Sequence, residues 1–169
     1  MKTNIIRTIL IVALIGTFSI IFGFSNQDSK TSGGISQKVT EFIIKFIPSI
    51  QQTEENQREE IIDRIESVIR KIAHFSIYTL VGFLLMSLMG TYKIKEINQI
   101  GTSLIIGVIY ASTDEIHQAF IPGRGPQITD VILDSLGVLT GIFVSMLLIE
   151  TIRRITKKKY NDINIKHLN

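Results

Sequence analysis

The chain has 169 residues, 45% of them apolar, and a formal charge of +3. With a positive mean hydropathy, it is too apolar for an ordinary soluble domain of this size. The charges are segregated: Arg153, Arg154, Lys157, Lys158 and Lys159 crowd the C-terminal tail, while Glu54, Glu55, Glu59, Glu60, Asp63 and Glu66 crowd one connecting segment. That division offers no uniformly basic face for nucleic acid. The absence of cysteine excludes disulfides and thiolate metal sites. The chain also has no internal repeat, P-loop, Gly-rich dinucleotide turn or His-Glu-x-x-His motif.

Residues 8–25 carry no charge and follow Lys2 and Arg7. A cleaved secretory signal fits those flanks, with Gly23-Phe24-Ser25 as a small-x-small cleavage site. However, the uncharged stretch outruns the roughly 7–15 residues of a signal core, which favours an uncleaved first span over residues 5–24. QDSKTSGG (residues 27–34) reads as a polar loop. Val39, Phe42, Ile43, Phe46 and Ile47 then recur at helical steps opposite Lys38, Glu41 and Lys45. They predict an amphipathic helix ending near Pro48, resting on a membrane surface or packed on its neighbours.

Residues 54–71 form a second charged helical pattern, with Ile61, Ile65, Val68, Ile69 and Ile72 on one stripe, and run directly into a second span at 72–89. TYKIKEINQ (91–99) is a short basic turn, residues 100–120 a third span, IPGRGPQ (121–127) a tight loop and residues 128–149 a fourth span. Each run is close to the ~20 residues that a spanning helix needs. The predicted fold is all-α, a single polytopic membrane domain. It has four transmembrane helices, an extracytoplasmic amphipathic segment (25–71) between the first two, and a basic tail (150–169). Lys2, Arg7, Lys93, Lys95 and the tail cations share one side, which places both termini in the cytoplasm. Arg70, Lys71 and Arg124 fall on the other side.

Ionisable groups within spans are expensive and mark functional sites. The predicted topology brings three sets of them to the outer end. Arg70, His74 and Tyr78 lie at four-residue spacing on the second span. Asp114, Glu115, His117 and Gln118 close the third, and Asp130 and Asp134 lie one turn apart on the fourth. His74, Asp114 and Asp134 are expected within roughly 10 Å of the outer boundary. Gly137 and Gly141 continue the Asp130–Asp134 stripe with GxxxG spacing, which lets helix backbones approach. An imidazole beside a carboxylate shuttles protons or ligates metal. His74 alone reads as a buried, hydrogen-bonded histidine ahead of a catalytic one, its acidic neighbours shift that balance, and no spacing identifies a metal or any other cofactor. Asp130 and Asp134 would repel if both were ionised, a pairing suited to acid–base work. They also suit a plain ion network with Arg70, Lys71 or Arg124. Arg124, between two glycines, is placed either to bind an anionic group or to snorkel at the interface.

RKIAHFSIYTLVGF (70–83) together with ASTDEIHQAFIPGRGPQITDVILDSLGVLTG (111–141) closely resembles the VanZ-like family, named for an accessory protein of teicoplanin resistance. Phe24-Ser25-Asn26-Gln27 resembles the family's Phe-Ser-x-Gln element after the first span. Pro126 departs from the family pattern, where a small or polar residue is expected. The resemblance implies a bacterial envelope role and brings no settled catalytic activity. The site expected from residues and resemblance together has His74, Asp114, Glu115, His117 and Asp130 in catalytic roles. Arg70, Tyr78, Gln118, Arg124 and Asp134 are expected to bind substrate. The partners expected are membrane lipids and an anionic or lipid-linked envelope substrate. A non-catalytic protein that shields a lipid or antibiotic headgroup is the alternative. A transporter ranks last, because the inner halves of the spans offer only isolated groups such as Thr79, Ser87, Thr102 and Ser103. The oligomeric state is not legible in the sequence.

Overall fold

The structure, a computed structural model, describes residues 2–26, 33–47, 50, 54–121 and 127–166. The described residues form α1 (Lys2–Ser25), α2 (Gly33–Lys45), α3 (Glu55–Met89), α4 (Glu96–Gln118) and α5 (Ile128–Lys166), with no strand among them. α1, α3 and α5 are long and apolar enough to cross a membrane. The chain is therefore a helical membrane protein.

The expected third span is a helix of 23 residues, α4. It is not among the helices that qualify as spans on length and apolarity alone. The reason lies at its ends: Asn98 and Gln99 open it, and Asp114, Glu115, His117 and Gln118 close it.

The charged pattern before the second span and the span itself are one helix, the 35-residue α3. At 1.5 Å per residue α3 is about 52 Å long, so its acidic first turns project well beyond a ~30 Å hydrocarbon slab. α5 overshoots the expected end at residue 149 and stays helical through the basic tail to Lys166. No Gly or Pro follows Gly141 to stop it, and Arg154 donates to Glu150 one turn earlier at 2.9 Å. α2 begins at Gly33, inside the stretch expected to be loop. It turns Thr40 and Ile44 inward and leaves Phe42 and Phe46 exposed, their rings edge to face at 5.0 Å. The apolar stripe read from the sequence is thus mostly the outer face of α2, and a narrower neighbouring face meets α3.

α3 and α5 form the closest pair, and glycines set their separation. A Cβ on Gly82 would collide with the Val138 backbone, and one on Gly141 with the Thr79 backbone. One on Gly137 would sit 2.7 Å from the Phe75 carbonyl oxygen. Small residues permit this approach where no solvent drives helices together. Val138, fully buried, also receives α4: a Cβ on Gly107 would lie 2.5 Å from its Cγ1. Tyr78, Val81, Ala111 and Ile142 complete the core, and Leu14 and Ile21 join it from α1. Ser87 and Ser145 share a hydrogen bond of 3.0 Å between α3 and α5.

Contacts at its two ends fix the direction of α1. The Arg7 guanidinium donates to the Thr91 hydroxyl (2.9 Å) and carbonyl (2.7 Å) and lies 4.1 Å from the centre of the Tyr92 ring. Ser25, at the opposite end of α1, meets α4. α1 and α4 therefore run one way, and α3 and α5 the other. Gly141→Leu is expected to lower bundle stability by about 1–3 kcal/mol or more through overpacking. Thermal unfolding in detergent measures it, with the exposed Thr140→Leu on the same helix expected to cost far less.

Candidate functional site

Asp114 lies near the C-terminal end of α4 and is only 5% exposed. Three neutral donors from three helices converge on its carboxylate. Ser25 Oγ of α1 donates to Oδ1 at 2.5 Å. Tyr78 Oη of α3 donates to Oδ2 at 3.2 Å, and Gln118 Nε2, one turn along α4, donates to Oδ2 at 3.1 Å. Gln118 Nε2 also reaches Ser25 Oγ at 3.2 Å. Hydrogen bonds to an ionised acceptor are short and roughly twice as strong as neutral ones. They stand in for the hydration that this carboxylate lacks.

α3 and α5 contribute the neighbouring groups. His74, one turn before Tyr78, presents Nδ1 at 3.7 Å from Oδ2 of Asp134, whose side chain is 4% exposed. The His74 and Tyr78 rings lie nearly parallel with centroids 6.4 Å apart. Asp134 Oδ1 is buried without a hydrogen-bond partner among the described residues. Ligand-type atoms of His74, Asp114 and Asp134 all lie within 4.8 Å of one another. Glycine packing explains this register. Gly137, which follows Asp134 by three residues, lies against Phe75 and Tyr78, so the close approach of α3 and α5 also carries Asp134 to His74.

The remaining expected site residues are placed around this centre. Glu115 is buried, and its Oε1 accepts the backbone N–H of Gln127 at 2.5 Å. It therefore anchors the residue that precedes α5, and an anion near a helix N-terminus is favourable there. His117 stacks on Phe22 of α1 with centroids 4.8 Å apart, and its Nε2 is buried without a partner among the described residues. Asp130 meets Lys71 at 3.5 Å in a partly exposed pair. Arg70 stays on the exposed face of α3, one turn before His74. Arg124, with Pro122, Gly123 and Pro126, lies outside the described residues. The structure thus gathers His74, Tyr78, Asp114, Gln118 and Asp134 at one centre. It places Glu115, His117, Asp130 and Arg70 on that centre's periphery.

Two contributors were missed by the sequence reading. Ser25, fully buried, was read as a boundary or cleavage-site residue, although it stands within the Phe-Ser-x-Gln element. The second is the aromatic pair Phe18 and Phe22 of α1, which belongs to an uncharged run in the sequence. Phe22 supports His117, while Phe18 stacks on Tyr110 at 3.9 Å and accepts the Tyr110 hydroxyl at its carbonyl (2.8 Å).

A family model described as VanZ/LLP1 matches residues 10–150. The chain belongs to the VanZ/LLP1 family. No curated protein and no solved structure matches it. The matched region runs from α1 into α5 and contains every described residue of the centre, Ser25 included.

Removing a donor to a buried carboxylate is expected to cost about 1.5–3 kcal/mol, so Ser25→Ala should lower thermal stability in detergent by that order. Ser112→Ala, whose hydroxyl bonds within its own helix to the Val108 carbonyl, should be close to neutral. Because Ser25 and Gln118 share Asp114 and each other, the double Ala variant should depart from additivity by about 0.5 kcal/mol or more.

Proposed function

We propose that the chain is a four-span protein of the bacterial cytoplasmic membrane with both termini inside and residues 25–71 outside. In this reading the cluster near the outer leaflet handles an anionic or lipid-linked envelope substrate. The convergence of Ser25, His74, Tyr78, Asp114, Gln118 and Asp134 from four helices at one end of the bundle carries this reading. That end is opposite the one where Arg7 binds Thr91 beside Lys93 and Lys95, and cations of that kind favour the cytoplasm.

α4 serves as the third of the four spans despite its polarity, because its polar face is turned inward. Ser103, Ala111, Asp114, Glu115 and Gln118 are buried, whereas Ile105, Ile109 and Ile116 are about 60% exposed and suit lipid. α1 stays uncleaved in this account, since Ser25 completes the site. The exposed Phe42 and Phe46 of α2 suit the membrane surface. Arg124 supplies positive charge for an anionic headgroup from the loop before α5. The family resemblance supports a contribution to teicoplanin-type glycopeptide resistance in this reading.

Proton exchange at His74 beside Asp134 favours a reacting centre. A second reading, a protein that holds a lipid or antibiotic headgroup without turnover, is favoured by Asp114. Its hydrogen bonds among the described residues come from three side chains, which suit a positioned acceptor more than a reacting group. Purified protein that retains a stoichiometric lipid and converts nothing would select the second.

Two experiments test the proposal. Because the chain lacks cysteine, single-cysteine variants report topology directly. In intact cells Glu55→Cys should react with a membrane-impermeant maleimide and Ile94→Cys should not, and the reverse pattern refutes the orientation. His74→Gln and Asp114→Asn should insert at normal levels yet abolish any teicoplanin tolerance that expression confers on a susceptible bacterium. Full tolerance in both variants refutes a functional role for the cluster.

A further inference from the structure

We infer that His74, Asp114 and Asp134 form a binding site for one divalent metal ion. The inference uses the same cluster as the functional reading and sharpens it, by giving the site a means of holding the phosphate or carboxylate of an anionic headgroup.

Three observations carry it. The donor set is one imidazole and two carboxylates on three different helices, with ligand atoms within 4.8 Å of one another. Metal–ligand bonds of about 2.1 Å place donors on opposite sides of an ion roughly 4 Å apart, so a small rotation of each side chain closes the set. The second observation is Asp134, whose side chain is 4% exposed and whose Oδ1 has no hydrogen-bond partner among the described residues. A buried carboxylate oxygen in that condition calls for a partner, and a cation is one that fits it.

The third is the charge balance. Among the described residues, the donors to Asp114 are neutral: Ser25, Tyr78 and Gln118. Among the same residues, the nearby cation Lys71 is engaged by Asp130 at 3.5 Å, so that the two buried acids, Asp114 and Asp134, have the His74 imidazole as their basic neighbour. A divalent ion neutralises both.

The surroundings of Asp114 also suit a ligand. Hydrogen bonds from a second layer of residues orient ligating carboxylates, and here Ser25, Tyr78 and Gln118 are positioning residues for Asp114. Mixed nitrogen and oxygen donors without sulfur suit Zn²⁺ or Mn²⁺. Three protein ligands leave positions open for water or for an anionic oxygen of the substrate.

The test uses full-length protein in detergent, purified without a histidine tag. Mass-spectrometric metal analysis after loading with Zn²⁺ or Mn²⁺ and desalting should find about one ion per chain. EDTA should remove the ion and lower the melting temperature. His74→Gln and Asp134→Asn should each weaken binding more than tenfold, while Asp130→Asn, outside the ligand set, should retain it. Gln118→Ala should weaken it by roughly ten- to a hundredfold, as expected when an orienting partner is lost.

If Asp134→Asn fails to fold, pulsed EPR of the Mn²⁺-loaded native chain decides. Coupling to an imidazole nitrogen supports the site, and its absence overturns it. Substoichiometric metal with no thermal response to EDTA, Zn²⁺ or Mn²⁺ overturns the inference, as does undiminished binding by Asp134→Asn. The two readings fail separately. Tolerance lost in His74→Gln with no metal ever bound removes the metal alone. Stoichiometric metal with full tolerance in the ligand variants removes the functional reading alone.

Discussion

Charge held away from water needs a partner, and the upper part of this bundle is arranged around that constraint. Asp114 and Asp134 are almost fully buried on neighbouring helices. Ligand-type atoms of the two acids and His74 lie within 4.8 Å of one another, and two ionised carboxylates so close would repel by a few kcal/mol even at an effective dielectric of about 20. Desolvation adds to that penalty. The protein answers it locally at Asp114, with a hydroxyl from α1, a phenol from α3 and an amide from α4. The donors from α1 and α3 each fix a further helix against α4. The buried Asp114 is thereby also the point that ties α1, α3 and α4 together.

The steric half of the arrangement lies lower in the bundle. Lipid gives helices no hydrophobic reason to pack, so backbone proximity has to come from small residues and van der Waals contact. Gly82 opposite Val138, and Gly137 and Gly141 opposite the Phe75–Thr79 turn, bring α3 and α5 into backbone contact over about two turns. That contact fixes the rotation of α5 about its axis. Asp134 is three residues from Gly137 and shares its face, so the rotation that seats the glycines also aims the carboxylate at His74. Packing and chemistry are thus set by a single register.

Much of this was legible in the sequence, for identifiable reasons. Four-residue spacing on α3 foretold that His74 and Tyr78 share a face, and GxxxG spacing marked the face of α5 that approaches α3. The fate of Glu115 and His117 was not legible. Neighbours on a helix differ by about 100° in direction, so residues 114, 115, 117 and 118 cannot all face one point. Asp114 and Gln118 face the centre, while Glu115 turns toward Gln127 and His117 toward Phe22. Which pair wins depends on the rotation of α4, and that is set by tertiary packing around Gly107 and Val138. Ser25 was missed because a single hydroxyl at the end of an apolar run leaves no periodic trace. The extent of α5 was misjudged because a change from apolar to basic residues ends a span without ending a helix.

Asp130 and Asp134 show how depth sorts groups of the same chemistry. They are one turn apart on α5, and each faces a basic side chain of α3: Lys71 for Asp130, His74 for Asp134. The outer pair is partly exposed and uses a primary amine, whose charge survives wherever water reaches it. The inner pair, a half-buried His74 with a buried Asp134, uses imidazole, which can be neutral and therefore tolerates the low dielectric that a lysine would not. Moving inward by one turn thus replaces a fixed cation by a group able to gain or lose a proton, or to offer a lone pair. An ion pair of ordinary surface type thus lies one turn away from an imidazole and two buried acids. The clustered ionisable groups are thereby His74, Asp114 and Asp134, although charged residues extend farther along α3 and α5.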